Sequence, residues 1–473
     1  MERIPLSLEE HLDRDKLEAF LESCRDAAED DAHAKLVSIN LSVDHVDPLA
    51  VIDSIYEDAA SHFYLENPRK GWALAGAESV LETQAEGPER FRRLKETALE
   101  WDAHTISVGD LDLSFSGPAW MAGFAFFDEV GSGEGFPVAS AFVPQWQVAR
   151  SGGRFLATVN LLIAAETAIR PLAERIWQAH RTFSSLDYEG PPPAPRYTVV
   201  KEAEVGPESH YTEIVKAALE QIRSGAYDKI VLARAIDLTF DTPCAPLRIL
   251  DRLRRRFPEC SSFSLQNSLG TRFIGATPES LIGVDKGTFC TEAIAGSAPR
   301  GEGAVDDARE AGALLRSAKD LREHQHVVAS ILKRLHQLGL DASSPEAPEL
   351  YPLANVQHLR TPIKGRLCGD QHILDLAENL HPTPAVGGTP REAVLGDIRQ
   401  WEPFARGLFA GLVGWYDAAG NGELIVGIRS ALIRGEQARI YAGAGIVEGS
   451  DPEREWHETQ VKMEALLNSV KQG

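Results

Sequence analysis

The 473-residue chain is short of positive charge. Its 48 Lys and Arg stand against 70 Asp and Glu, a formal net charge of −22. Binding to a nucleic-acid backbone or an anionic membrane surface rests on clustered Lys and Arg, so neither nucleic acid nor membrane is expected as a partner. Cysteine is scarce too: Cys24, Cys244, Cys260, Cys290 and Cys368 make an odd number with no C-x-x-C pair. That argues against a disulfide framework or zinc knuckle and for a reduced, cytoplasmic chain. Long apolar runs are missing. The most apolar stretch, residues 156–169, is interrupted by Asn160 and Glu166, far short of the ~18 apolar residues of a membrane helix. The opening Met1-Glu2-Arg3-Ile4-Pro5 lacks the basic-then-apolar pattern of a signal peptide. Repeats and low-complexity tracts are also absent.

What is present is ordinary for a folded chain: 43% hydrophobic and 25% charged residues. The one break is Gly190-Pro191-Pro192-Pro193-Ala194-Pro195, a run that neither a helix nor a central strand can absorb. It is either a domain boundary or a surface crossover between an N-terminal part, 1–190, and a C-terminal part, 208–473. In the first part, strands are expected over 36–43, 119–127 and 155–163, with helices over 7–27 and 166–180. No chemistry-bearing cluster stands out there, so this half reads as scaffold. In the second part a helix is expected over 211–224 and a strand over 228–240, followed by strands over 262–266, 272–275 and 280–284. From residue 411 onward a meander is expected, with one strand over 424–433 and another over 438–443. Hairpin signals such as Gly420-Asn421-Gly422 dominate, and β-α-β alternation does not. The fold class is therefore α+β: large antiparallel sheets wrapped by helices.

Four places carry possible chemistry. Lys229 sits in an apolar strand, sharing a face with Val231, Ala233 and Ala235. It is either a snorkelling or paired lysine, or a general base. Glu279 follows Pro278 in Gly275-Ala-Thr-Pro-Glu-Ser280, a rigid corner that either aims a carboxyl or leaves it solvated. Glu323 leads the stripe Val327, Ile331, Leu335 on a helix, where a carboxylate needs a cation, a metal or hydrogen bonds unless the stripe has reached solvent. On the last helix, Ser450 and Glu453 are spaced as a capping box. Beyond them Glu455, Glu458 and Lys462 fall at i, i+3 and i+7 on one face. Such carboxylates either pair with the lysine or hold a divalent cation, of which Mg²⁺ suits an all-oxygen set with few protein ligands. The glycines of Tyr441-Ala-Gly-Ala-Gly-Ile446 allow close approach of an anion to the backbone. Arg429, placed on the 424–433 strand, is able to clamp a carboxylate.

These segments, in their order along the chain, resemble the chorismate-utilising enzymes. They are Lys229-Ile-Val-Leu-Ala-Arg234, Gly275-Ala-Thr-Pro-Glu-Ser280, Glu292-Ala-Ile-Ala-Gly-Ser297 and Lys319-Asp-Leu-Arg-Glu-His324. They continue with His381-Pro-Thr-Pro-Ala385, Ile428-Arg429-Ser430, Tyr441-Ala-Gly-Ala-Gly-Ile446 and Glu455-Trp-His-Glu458. The resemblance is greatest to isochorismate synthases of the menaquinone type. It implies one large unit in which helices wrap the sheets, the N-terminal half included. It implies that Lys229 activates water for attack at C2 of chorismate and that Glu279 protonates the departing C4 hydroxyl. Glu323, Glu455 and Glu458 match the Mg²⁺ site. Arg429, Lys462 and the Gly443 and Gly445 backbone match the site of the enolpyruvyl carboxylate, and Ser297 and His381 match the ring pocket. Lys229, with Ala295 where aminodeoxychorismate synthases resemble a pattern with a nucleophilic lysine, points to water rather than ammonia. No glutamine amidotransferase subunit is then expected, and a monomer is the default. Two alternatives stay open: a salicylate synthase, which goes on to eliminate pyruvate, and a non-catalytic carboxylate-binding homologue. The product's destination, menaquinone, a siderophore or salicylate, is also open.

Overall fold

The computed structural model describes residues 2–4, 14–55, 61–129, 131, 135–184, 196–353 and 356–471. The Pro run and residues 7–13 of the helix expected over 7–27 lie outside these residues, and the rest of that helix is found as Arg14–Asp30. Among the described residues two sheets organise the chain, one of 14 strands and one of 10. Both draw strands from each side of the Pro run. His62–Asn67 pairs with Ser261–Gln266 in the larger sheet, and Trp120–Phe124 pairs with Leu412–Tyr416 in the smaller. The sheets face each other. A Cβ added at Gly76 in the larger sheet would lie 2.4 Å from Met121 Cε in the smaller, and one at Gly123 would lie 2.7 Å from Leu265 Cδ2. The expected α+β class with helices outside is found, with one correction to its antiparallel character. Thr105–Gly109 runs parallel to both Glu2–Ile4 and Lys35–Ser42. The chain returns to this edge only after other elements, ending with the helix Arg90–Ala103, and such long crossovers are what parallel pairing requires.

The expected helices and strands of the C-terminal part are close to those observed. The helix His210–Arg223 covers one face of the strand Lys229–Phe240. Its Tyr211 hydroxyl donates to the Leu232 carbonyl at 3.4 Å. The strand expected over 424–433 is instead two strands in different sheets: Gly422–Val426 in the smaller and Ser430–Arg434 in the larger. Gly427, Ile428 and Arg429 form the crossing, with Arg429 at φ +51°. A period-2 pattern runs through this corner undisturbed, which is why alternation alone missed it. Arg272–Thr277 and Ser280–Asp285 make the matching switch through Pro278 and Glu279. The two corners interlock: Ala276 N–H donates to Arg429 O at 3.2 Å, and Val426 N–H donates to Glu279 O at 3.1 Å. Gly275 allows this approach, since a Cβ there would sit 2.7 Å from Arg429 O.

The last helix, Pro452–Lys471, is capped one residue later than expected. Asp451 Oδ1 accepts from Arg454 N–H at 3.0 Å, and Ser450 Oγ accepts from Val447 N–H instead. No described helix is long and apolar enough to cross a membrane.

A buried ion pair holds the middle of the C-terminal part. Arg406 donates to Glu402 through Nε at 2.8 Å and Nη2 at 2.5 Å, and to the carbonyls of Val386 and Val231. Glu402 also accepts from Ala233 N–H at 2.8 Å. Both side chains are at most 2% exposed. Removing one partner from such a pair leaves an uncompensated buried charge. Arg406→Met is therefore expected to lose about 3–5 kcal/mol in urea denaturation. The Arg406→Met/Glu402→Gln double variant should recover part of that loss, and no recovery would show that the charge pairing is not what stabilises this region.

Candidate active site

A cavity of about 280 Å³ opens where the two sheet-switching corners meet the strands Lys229–Phe240 and Gln437–Val447. Lys229, Glu279, Ser297, Glu323, Arg429, Gly443, Gly445, Glu455, Glu458 and Lys462 all line it. Residues separated by more than 230 positions are thus brought together.

Lys229 enters at the start of its strand and donates from Nζ to Glu323 Oε1 at 2.8 Å. Its stem passes over Gly445, where a Cβ would lie 2.8 Å from Lys229 Cε. The second glycine of the pair thus makes room for the lysine. Glu323 projects from the helix Ala318–Gln337, whose next residue, His324, is buried. His324 Nε2 lies 2.7 Å from Thr361 Oγ1, tying the helix to the smaller sheet.

Glu279 is buried at its corner, 9% exposed. Burial is the main cause that pushes its carboxyl up to about 7, and the charge of Glu292 adds to it. Lys229 and the Thr383 hydroxyl oppose the shift without cancelling it. The site therefore holds a carboxylic acid that keeps much of its proton at neutral pH.

Glu292 was not foreseen. It accepts from Arg69 Nη2 at 3.0 Å and from Arg360 Nε at 2.5 Å. Arg69 belongs to the N-terminal half, in the turn between His62–Asn67 and Trp72–Ala77. The same turn sends Asn67 and Lys70 to buried Glu423, at 2.6 and 2.7 Å. The half read as scaffold thus neutralises two carboxylates behind the acid. Spacing along one chain segment gives no sign of partners more than 200 residues apart.

At the other end of the cavity, Lys462 Nζ donates to Glu458 Oε1 at 2.6 Å and to Gly443 O at 2.9 Å. The Lys462 charge holds the Glu458 carboxyl below its ordinary value against the effect of burial. Glu455 is pushed up by burial and by the charge of Glu458. No hydrogen bond among the described residues occupies the Arg429 guanidinium, although Glu458 and Cys260 lie within electrostatic reach. Ser297 Oγ meets His358 Nδ1 at 2.8 Å. Burial, helped by Arg429 and Lys462, drives His358 down to about 3, so its ring is neutral. His358 was missed as a lining residue; its cross-strand pairing with Ser297 is the register information that local spacing lacks.

His381 does not line the cavity, contrary to expectation. It is buried, with its ring edge-on to Phe126 at 5.9 Å, and burial takes its pKa down to about 3. Ala385 and Val386 of the same segment reach the cavity instead.

The metal expectation meets a mixed geometry. Glu323, Glu455 and Glu458 share the cavity and are the oxygen donors that Mg²⁺ takes. Glu455 and Glu458 repel each other, which a dication would relieve. Glu323 and Glu458 are closed on lysines, however, and no three His, Cys, Asp or Glu among the described residues are gathered closely enough to hold a metal. The donor chemistry fits; the two carboxylates would first have to leave their lysines.

A family model described as chorismate binding enzyme matches residues 19–471. The chain belongs to that family. It is 34% identical over 452 residues to isochorismate synthase MenF of Bacillus subtilis, spanning 93% of this chain and 94% of the relative. It is also 34% identical over 446 residues to the salicylate biosynthesis isochorismate synthase of Pseudomonas aeruginosa, spanning 92% and 90%. The solved structure of MenF, the menaquinone-specific isochorismate synthase of Escherichia coli, superposes with a TM-score of 0.76 at 25% identity, covering 95% of this chain and 99% of that one. The family and fold read from the motifs are borne out.

The raised Glu279 carboxyl has a consequence for stability. Near pH 4 both folded and unfolded states keep the proton, so the group contributes nothing. Between its ordinary value of 4.5 and about 7 the unfolded chain ionises first, and stability falls across that window. Glu279→Gln removes this loss. The variant's advantage in urea denaturation should grow from near zero at pH 4 to about 3 kcal/mol at pH 8. An advantage that does not change with pH would contradict the assignment.

Proposed function

We propose that the protein is a Mg²⁺-dependent isochorismate synthase acting in the cytoplasm without an amidotransferase subunit. The observation that carries the reading is a buried carboxylic acid, Glu279, and an amine, Lys229, lining one cavity that also holds Arg429 and Lys462. The relatives named as isochorismate synthases support the choice of reaction.

Chorismate is a dianion, and the chain's −22 charge repels it at long range. Local cations must therefore hold it. Arg429, whose guanidinium has no hydrogen bond among the described residues, and Lys462 are suited to the enolpyruvyl carboxylate. Mg²⁺ held by Glu323, Glu455 and Glu458 would supply positive charge to the ring carboxylate. Lys229, once it has left Glu323 and given its ammonium proton to solvent, takes a proton from water as the oxygen bonds to C2. The ring double bond shifts and the C4–oxygen bond breaks. Glu279 gives its proton to that oxygen, which leaves as water. One water enters and one leaves, so the reaction is an isomerisation. Lys229 and Glu279 end with exchanged protonation and are reset by solvent. A general acid works best with a pKa near the operating pH, which burial of Glu279 provides.

Purified protein with chorismate and MgCl₂ is expected to yield isochorismate as the main product by chromatography. Salicylate with pyruvate would replace this reading with a salicylate synthase, and calorimetric binding without turnover would replace it with a binding protein. Lys229→Ala is expected to lower kcat about 10²–10⁴-fold while chorismate binding measured by calorimetry stays within a few-fold; full activity would remove Lys229 from the mechanism. Because the acid must be protonated, kcat/KM should fall as pH rises above about 7. A rate that holds to pH 9 would exclude Glu279 as the acid.

A further inference from the structure

Arg234 lies five residues beyond Lys229 on the same strand, turned to the opposite face, with a side chain 3% exposed. Every arm of its guanidinium is used. Nε donates to Thr459 Oγ1 at 2.7 Å, Nη2 to Gln460 Oε1 at 2.6 Å, and Nη1 pairs with Glu204 Oε1 at 3.1 Å. Its Cζ sits over the Trp456 ring, 4.6 Å from the ring centroid. Thr459 donates its own proton to Trp456 O at 2.6 Å, which leaves its oxygen free to accept from Arg234.

Trp456, Thr459 and Gln460 form one face of the last helix. Glu455, Glu458 and Lys462 form the neighbouring face, about 100° round the axis. The apolar anchors of this helix, Met463, Leu466, Leu467 and Val470, all lie C-terminal to those three residues. So do the bonds from Tyr197 to Val470 O and from Arg252 to Ser469 O. Arg234, together with the bond from Lys462 to Gly443 O, holds the turns that carry the cavity's charges from the sheet side. A side-chain head rides about 5–6 Å from a helix axis, so a rotation of about 20° moves it about 2 Å. Misplacement of about 1 Å is enough to cost about 10²-fold in a positioned reaction.

We propose that Arg234 is a positioning residue: it sets the rotation of the first turns of the Pro452–Lys471 helix, and so where Glu455, Glu458 and Lys462 stand in the cavity. A lysine cannot replace it, because only the planar fork spans three acceptors while stacking on an indole. The kinetic part of the test rests on the chorismate reading above; the exchange part does not.

The test compares Arg234→Lys and the milder Thr459→Val with the wild-type chain. Five quantities are read: melting temperature, kcat and KM for chorismate, calorimetric binding of MgCl₂ alone, and hydrogen–deuterium exchange across residues 452–471. In both variants the melting temperature should fall by only a few degrees, with faster exchange confined to 452–462. KM should rise about tenfold in Arg234→Lys with a smaller change in kcat, and MgCl₂ binding should weaken several-fold. Thr459→Val should move each quantity the same way by less. Unchanged exchange over 452–462 in both variants would overturn the proposal, whether or not the wild-type enzyme turns over chorismate. So would faster exchange across the whole chain with a matching loss of melting temperature, which marks a merely structural role. If the wild-type chain leaves chorismate unconverted, the functional reading fails, while faster exchange confined to 452–462 still supports the role of Arg234.

Discussion

The site depends on two corners that hold each other. At 277–280 and at 426–430 the chain leaves one sheet for the other. Each corner donates a backbone N–H to the carbonyl of the other's functional residue: Ala276 to Arg429, and Val426 to Glu279. Glu279 and Arg429 are thus fixed by main-chain bonds as well as by side-chain packing. Arg429 takes a left-handed backbone, unusual for a residue with a side chain and costing about 1 kcal/mol or more. The interlock offsets that cost and sends its guanidinium into the cavity.

Electrostatics around this point is organised at short range. The chain as a whole is strongly acidic, yet the carboxylates near the acid are each answered. Glu292 has Arg69 and Arg360, and Glu423 has Asn67 and Lys70. Among the described residues Glu279 has no such partner at salt-bridge distance, so burial dominates and its proton stays. Lys229 and Lys462 are paired with Glu323 and Glu458, an arrangement in which substrate and Mg²⁺ would compete for groups now bonded to one another. The turn that supplies Arg69 and Lys70 belongs to the N-terminal half, whose strands lie in the same two sheets. It contributes charge as well as support.

Local pattern carried far in this chain where chemistry and secondary structure coincide. Lys229 at a strand, Glu279 behind a proline, and Glu455, Glu458 and Lys462 on one helix face were legible because period and turn residues place them. Long-range contact was not. The break at Gly427–Arg429 preserves alternation, so it read as continuous strand. His381 read as part of a pocket through its motif, but its ring is turned into the core against Phe126. His358, Glu292 and Arg69 became visible only with strand register and the pairing of the two halves. The parallel edge at Thr105–Gly109 likewise depends on a crossover that hairpin signals do not report.

The central claim is that Glu279 remains a carboxylic acid near neutrality inside this cavity. Infrared difference spectra of the wild-type chain against Glu279→Gln, taken across a pH titration, read that proton directly. A protonated-carboxyl band belonging to Glu279 that disappears with a midpoint near 7 is the predicted result. A midpoint near the ordinary value of 4.5 would contradict the account.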